Sequence, residues 1–201
     1  MILRGTADQV ALAEWLFNEL DKPANRQALA QQKQGSAIHE YRLSGGTDNV
    51  ARVFYLTHIE TPQDLVELAT TVRTIGDIRR LYSHNALGAV VVRGTADQVA
   101  LAEWLFNELD KPANRQTDAQ QYQDSATYAY RAPEGGDDTA VRVFYLTHAP
   151  TVQRLLEIAT QLRRETGVRR LYSYSALKAL ALRGSPDQLL QVARLIKAQD
   201  R

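Results

Sequence analysis

One stretch of this chain is repeated without a change. Residues Arg4 to Gln27 read RGTADQVALAEWLFNELDKPANRQ, and Arg93 to Gln116 read the same. A diverged third copy, RGSPDQLLQVARLIKAQDR, begins at Arg183. Two further strings return. VFYLTH occurs at Val53–His58 and Val143–His148, and RRLYSHNALGAVVVRG (Arg79–Gly94) matches RRLYSYSALKALALRG (Arg169–Gly184). The period is about 90 residues, too long for a solenoid repeat and right for a small domain. The 201 residues open inside a unit, at its last strand and helix, and then hold two whole units. The expected organisation is a partial module over 1–24, a linker over 25–35, a full module over 36–112, a linker over 113–124 and a second full module over 125–201. An opening in mid-unit is what a piece of a longer array would show.

Each full unit reads as strand–helix–strand–strand–helix with an extra leading strand. SAIHEYRL and VARVFYLTH flank Gly45–Gly46, and SATYAYRA and TAVRVFYLTH flank Gly135–Gly136. Alternating aromatic and β-branched residues around a glycine pair predict a hairpin. A helix follows, with Thr61 as N-cap, Pro62 at the first helical position and Asp64 three residues past the cap. Leu65, Leu68, Val72 and Ile75 form its apolar face, and Gly76 is expected to end it, as Gly167 ends its counterpart. That counterpart starts at Thr151 and turns Leu155, Ile158 and Leu162 inward. IRRLYSH alternates as a strand, and ALGAVVVRG runs apolar long enough to be a central one. The last helix opens with a capping box in all three copies: Thr6–Gln9, Thr95–Gln98 and Ser185–Gln188. Its core stripe is Val10/Val99/Leu189, Ala13/Ala102/Val192, Leu16/Leu105/Leu195 and Phe17/Phe106/Ile196. The fold class is therefore α+β: tandem βαββα modules, each with two helices on one face of a small sheet.

The copies differ at one informative place. Leu12 and Trp15, repeated as Leu101 and Trp104, become Gln191 and Arg194 in the final copy. They lie one turn apart beside the core stripe. The first two copies are expected to bury this flank against a neighbouring unit or chain, and the last to leave it in water, as terminal repeats do.

Chemistry is hard to place here. There is no Cys, so disulfides, zinc-thiolate sites and cysteine nucleophiles drop out together. The four histidines form no His-x-x-x-His pair, and neither a nucleophile elbow nor a phosphate loop is present. No catalytic residue, metal or cofactor is expected, and the chain is read as no enzyme. No apolar run reaches the roughly 18 residues a spanning helix needs. With 24 Lys+Arg against 23 Asp+Glu the net charge is +1, a poor match for a nucleic-acid binder.

The stretch Asn85 to Asp110 carries a resemblance. It reads N-A-L-G-A-V-V-V-R-G-T, then a helix closing on Leu-Asp. This pattern resembles the N-domain repeats of bacterial secretins, the ring-building gates of the outer membrane. VFYLTH followed by TPQDLVELATTVR is similar to the strand and first helix of the same module. The last unit departs from it, with Ser175 in place of Asn85 and a helix ending Gln199–Asp200. The resemblance implies a non-catalytic scaffold in the periplasm or cell envelope, packing side by side or docking protein partners, and a possible homo-oligomer. Candidate interaction residues are Leu12, Trp15, Leu101 and Trp104, with the strand arginines Arg79, Arg80, Arg169 and Arg170. The alternative is a KH-like single-stranded nucleic-acid-binding module. Its glycine loop wants basic neighbours, whereas LSGGTD and PEGGDD are neutral or acidic.

Overall fold

The computed structural model describes residues 4–21, 40–112, 124–149 and 151–199. The strand expected over Met1–Arg4 and most of both linkers lie outside the described residues. Helix α1 (Ala7–Leu20) comes first. The first full unit follows as β1 (Glu40–Arg42), β2 (Val50–Tyr55), α2 (Pro62–Gly76), β3 (Arg80–His84), β4 (Ala89–Gly94) and α3 (Ala96–Leu109). The second repeats it as β5 (Tyr128–Ala129), β6 (Ala140–Tyr145), α4 (Val152–Thr166), β7 (Arg170–Tyr174), β8 (Ala179–Gly184) and α5 (Pro186–Gln199). The result is two four-stranded antiparallel sheets, ordered β1-β2-β4-β3 and β5-β6-β8-β7.

The expected α+β modules with a leading hairpin strand are borne out. The long apolar strands β4 and β8 sit inside their sheets, where both faces of a strand are covered. The leading strand of the second unit is shorter than its sequence suggests. Only Tyr128–Ala129 pairs as a ladder in the second unit. Just before it, the Ser125 hydroxyl, not a backbone carbonyl, accepts from the Val143 N–H at 2.8 Å. The hairpin loops also differ more than the one-residue offset of the repeats implies. Leu43 bonds Asn49 across the first loop and Tyr130 bonds Thr139 across the second, which is three residues longer. Tyr41 and Tyr128 therefore hold equivalent positions, opposite Ala51 and Val141.

The helix starts follow the cap signals. Thr6, Thr95 and Ser185 each accept from the backbone N–H three residues on, and Gln9, Gln98 and Gln188 reach back to the cap N–H. Such a cap contributes about 0.5–2 kcal/mol. The end of α2 differs from expectation. Gly76 is still helical, and Asp77 takes the left-handed cap position at φ 51°, where the counterpart helix uses Gly167 at φ 66°. Gly76 is small for another reason: a Cβ there would stand 2.9 Å from Ile78 Cδ1.

Alternation along the strands divides each sheet into two faces. Phe54, Val90 and Val92 turn toward the unit's own helices, while Val53, Ala89 and Val91 turn away, onto Trp15, Leu16 and Leu20 of α1. In the second unit Phe144, Leu180 and Leu182 meet α4 and α5. Val143, Ala179 and Ala181 join the core of the first unit. The molecule is thus five layers: α1, the first sheet, α2 with α3, the second sheet, α4 with α5.

Candidate functional site: the seam between units

The seam is built on a helix that buries two faces. Leu65, Leu68 and Val72 of α2 pack in its own unit, while α2 also lies against β7 and β8 of the next. Glu67, Thr71 and Ile75 recur every fourth residue and so share one side of the helix. Thr71 and Ile75 are fully buried. The Glu67 carboxylate accepts from the Ser175 backbone N–H at 3.0 Å and its hydroxyl at 2.6 Å. At the matched positions α4 carries Gln161 and Glu165 in place of Thr71 and Ile75, and its side is left to water.

Asp77 anchors the end of the seam. Arg170 grips its carboxylate with two parallel hydrogen bonds, at 3.1 and 2.6 Å, and reaches Asp138 at 2.6 Å with its third nitrogen. A fork-on-carboxylate pair is stronger and more directional than a single bond. Arg183, only 2% exposed, donates to the Ile75 carbonyl at 2.9 Å and to the Asp138 carbonyl at 3.2 Å, with Asp77 3.2 Å away. Its guanidinium also lies over the Tyr130 ring. Tyr130 donates to the Gly76 carbonyl, and burial pushes its phenol up to about 12, partly opposed by Arg183. Left-handed backbone at a residue with a side chain costs about 1 kcal/mol. The carboxylate that Asp77 brings to two arginines offsets that cost.

The other half of the seam occurs twice. Trp104 of α3 stacks on Tyr128 with centroids 5.0 Å apart, and Tyr145 donates to the Glu108 carbonyl at 2.6 Å. Trp15 of α1 meets Tyr41 at 5.6 Å, and Tyr55 donates to the Glu19 carbonyl at 2.9 Å. One preceding helix is therefore docked under each sheet in the same way. Burial and the Glu19 carboxylate push Tyr55 up to about 12.

The sequence-predicted residues fall partly in the packed seams and partly outside them. Leu12 and Trp15 pack under the first sheet, and Leu101 and Trp104 lie in or against the core shared with the second. Arg170 is in the seam. Arg80 pairs with Asp48 on the open edge of the first sheet. Arg79 and Arg169 precede their strands and are exposed, and Arg79 makes a solvent-facing pair with Glu134 at 3.3 Å. These contacts join parts of one polypeptide. Glu67, Asp77, Arg183 and Tyr41 escaped the sequence reading. The signal for the first two was the copy-to-copy change, Thr71/Ile75 to Gln161/Glu165 and Asp77 to Gly167. Asp110, the acid of the Leu-Asp ending, is structural: it accepts from the Thr57 and His58 backbone N–H groups at 2.7 and 2.8 Å. Among the described residues no cluster of His, Asp and Glu is placed to hold a metal ion, and no helix is long and apolar enough to cross a membrane.

No family model and no curated protein matches the chain. Solved structures do. The chain is similar to ExeD of Aeromonas hydrophila at 15% identity, with 75% of this chain and 27% of that one covered and a TM-score of 0.27. It is similar to the N-terminal domain of the secretin XcpQ from Pseudomonas aeruginosa at 12% identity, covering 78% and 68%, with a TM-score of 0.29. The ETEC pilotin–secretin AspS–GspD complex aligns at 14% identity over 98% of this chain and 36% of that one, with a TM-score of 0.27. The chain thus spans about a quarter of ExeD. The class is defined by strand order and register rather than by these superpositions: tandem βαββα units of an α+β fold.

Proposed function

We propose that the chain is a non-catalytic scaffold whose units bind other proteins, side by side or end to end, in the periplasm or cell envelope. The observation that carries this reading is the repeated seam. Twice, a Trp-bearing helix lies under a neighbouring sheet with the same Trp–Tyr stack and the same Tyr-to-carbonyl hydrogen bond. Units with this fold make large, specific, apolar contacts with their neighbours. The edge strands β1, β3, β5 and β7 supply backbone for lateral contact.

Sedimentation velocity across a wide concentration range, with cross-linking of edge-strand cysteine pairs, tests the scaffold. Concentration-dependent assembly cross-linked through edge strands supports it. A strict monomer that yields no cross-link overturns self-association. For the KH-like alternative, the glycine loops carry Asp48, Glu134, Asp137 and Asp138, which repel phosphate. A salt-sensitive, saturable shift with single-stranded RNA would reverse that preference.

A further inference from the structure

The two sheets are covered unequally. Among the described residues, two helices, α2 and α3, lie under the second sheet and one, α1, lies under the first. The uncovered part is β3. Its residues Arg80, Tyr82 and His84 share the face that Arg170, Tyr172 and Tyr174 present to α2, but Tyr82 is 68% exposed where Tyr172 is half-buried, and His84 is exposed where Tyr174 is buried. Arg80 pairs with Asp48, the counterpart of Asp138, and among the described residues no second carboxylate pairs with it as Asp77 does with Arg170. A second observation comes from α1. Val10 and Phe17 are 37% and 53% exposed, while the same residues in α3, Val99 and Phe106, are 2% and 3% exposed. In the seam α2 lies against both β7 and α3, so the corresponding place under the first sheet is bordered by β3 and α1.

We propose that this surface docks an acidic amphipathic helix of the α2 kind, presented by an adjoining unit of the same fold. The inference rests on the scaffold reading and names the partner chemistry of one end. The helix would lie beside α1 as α2 lies beside α3. It would carry a carboxylate, a small residue and an apolar one at the spacing of Glu67, Thr71 and Ile75. A carboxylate at its C-cap would meet Arg80, completing the two-acid clasp that holds Arg170. A second copy of this chain is a poor occupant. Its α2 is enclosed, and α4 carries Gln161 and Glu165 at the positions that must be small and apolar.

The probe is a helix-stapled, fluorescein-labelled peptide with the sequence of residues 61–78, titrated against the full chain. Saturable anisotropy is expected, with hydrogen-exchange protection appearing in Arg80–His84. Arg80→Glu and Tyr82→Glu, both at exposed positions, should each weaken binding by about tenfold or more. A stapled peptide of residues 151–168 should bind about tenfold less well. No saturation up to about 1 mM, equal binding of the two peptides, or insensitivity to both substitutions overturns the proposal. Protection appearing in Arg170–Tyr174 instead overturns it too, because the peptide would then be displacing α2. Self-association of the chain that Tyr82→Glu abolishes would make the occupant a second copy and also overturn it. Failure of the peptide while edge-strand assembly persists rejects this site alone; loss of both rejects the scaffold reading with it.

Discussion

Helices α1 and α3 have the same fourteen residues and different surroundings. In α3 seven of them are buried, and in α1 only Leu12 is. The shared part is the flank toward the following sheet, where Trp15 and Trp104 do the same work. The unshared part is the stripe toward the unit's own sheet. An apolar stripe states what a helix can bury; a neighbour decides whether it does.

The pair allows a controlled experiment, one substitution at two identical addresses. Phe106→Ala should cost about 3–5 kcal/mol in denaturant unfolding, as truncation of a buried aromatic does. Phe17→Ala should stay within about 0.5 kcal/mol, as at an exposed site. Equal losses would mean that α1 is covered in solution. Next in size, Trp104→Arg should cost about 2–4 kcal/mol through lost packing and a poorly solvated charge. Calorimetry should then show the two units melting apart, with the last unit intact. Arg183→Met should cost about 2 kcal/mol, because the Ile75 carbonyl loses its donor and Asp77 one of its two arginines. Asp77→Gly sets two terms against each other. It relieves the left-handed backbone but removes the clasp on Arg170, and a net loss of about 1 kcal/mol is expected.

The last test is alkaline and leaves neutral pH untouched. Tyr55 and Tyr130 are each held near 12 in the fold against about 10 when unfolded, so the folded state keeps protons that the unfolded chain releases. Their contribution is complete below pH 10 and is lost as pH rises through about 12. Tyr130→Phe should flatten that fall in a urea midpoint series, with no change in slope below pH 10.

Much of the architecture was legible because local chemistry carried it. The capping boxes, the Gly-Gly hairpins and the apolar run Ala89-Val90-Val91-Val92 each require one kind of element. The layer order was not legible, for a physical reason. The side of α2 that meets the second sheet is Glu67, Thr71 and Ile75, and two of these three are polar. Their burial depends on Ser175 and Arg183, 108 residues on in each contact. Asp77 was missed because a left-handed cap favours glycine, and the arginines that pair with it, Arg170 and Arg183, come from the other unit.

The stacking of helices beneath the sheet that comes next has a consequence for synthesis. A ribosome releases α2 and α3 before any strand of the second sheet, so the platform exists when that sheet arrives. Each unit inherits its floor from the one made earlier and adds its own roof. Such a chain is built in one direction, like courses of brick, each laid on the one made before it.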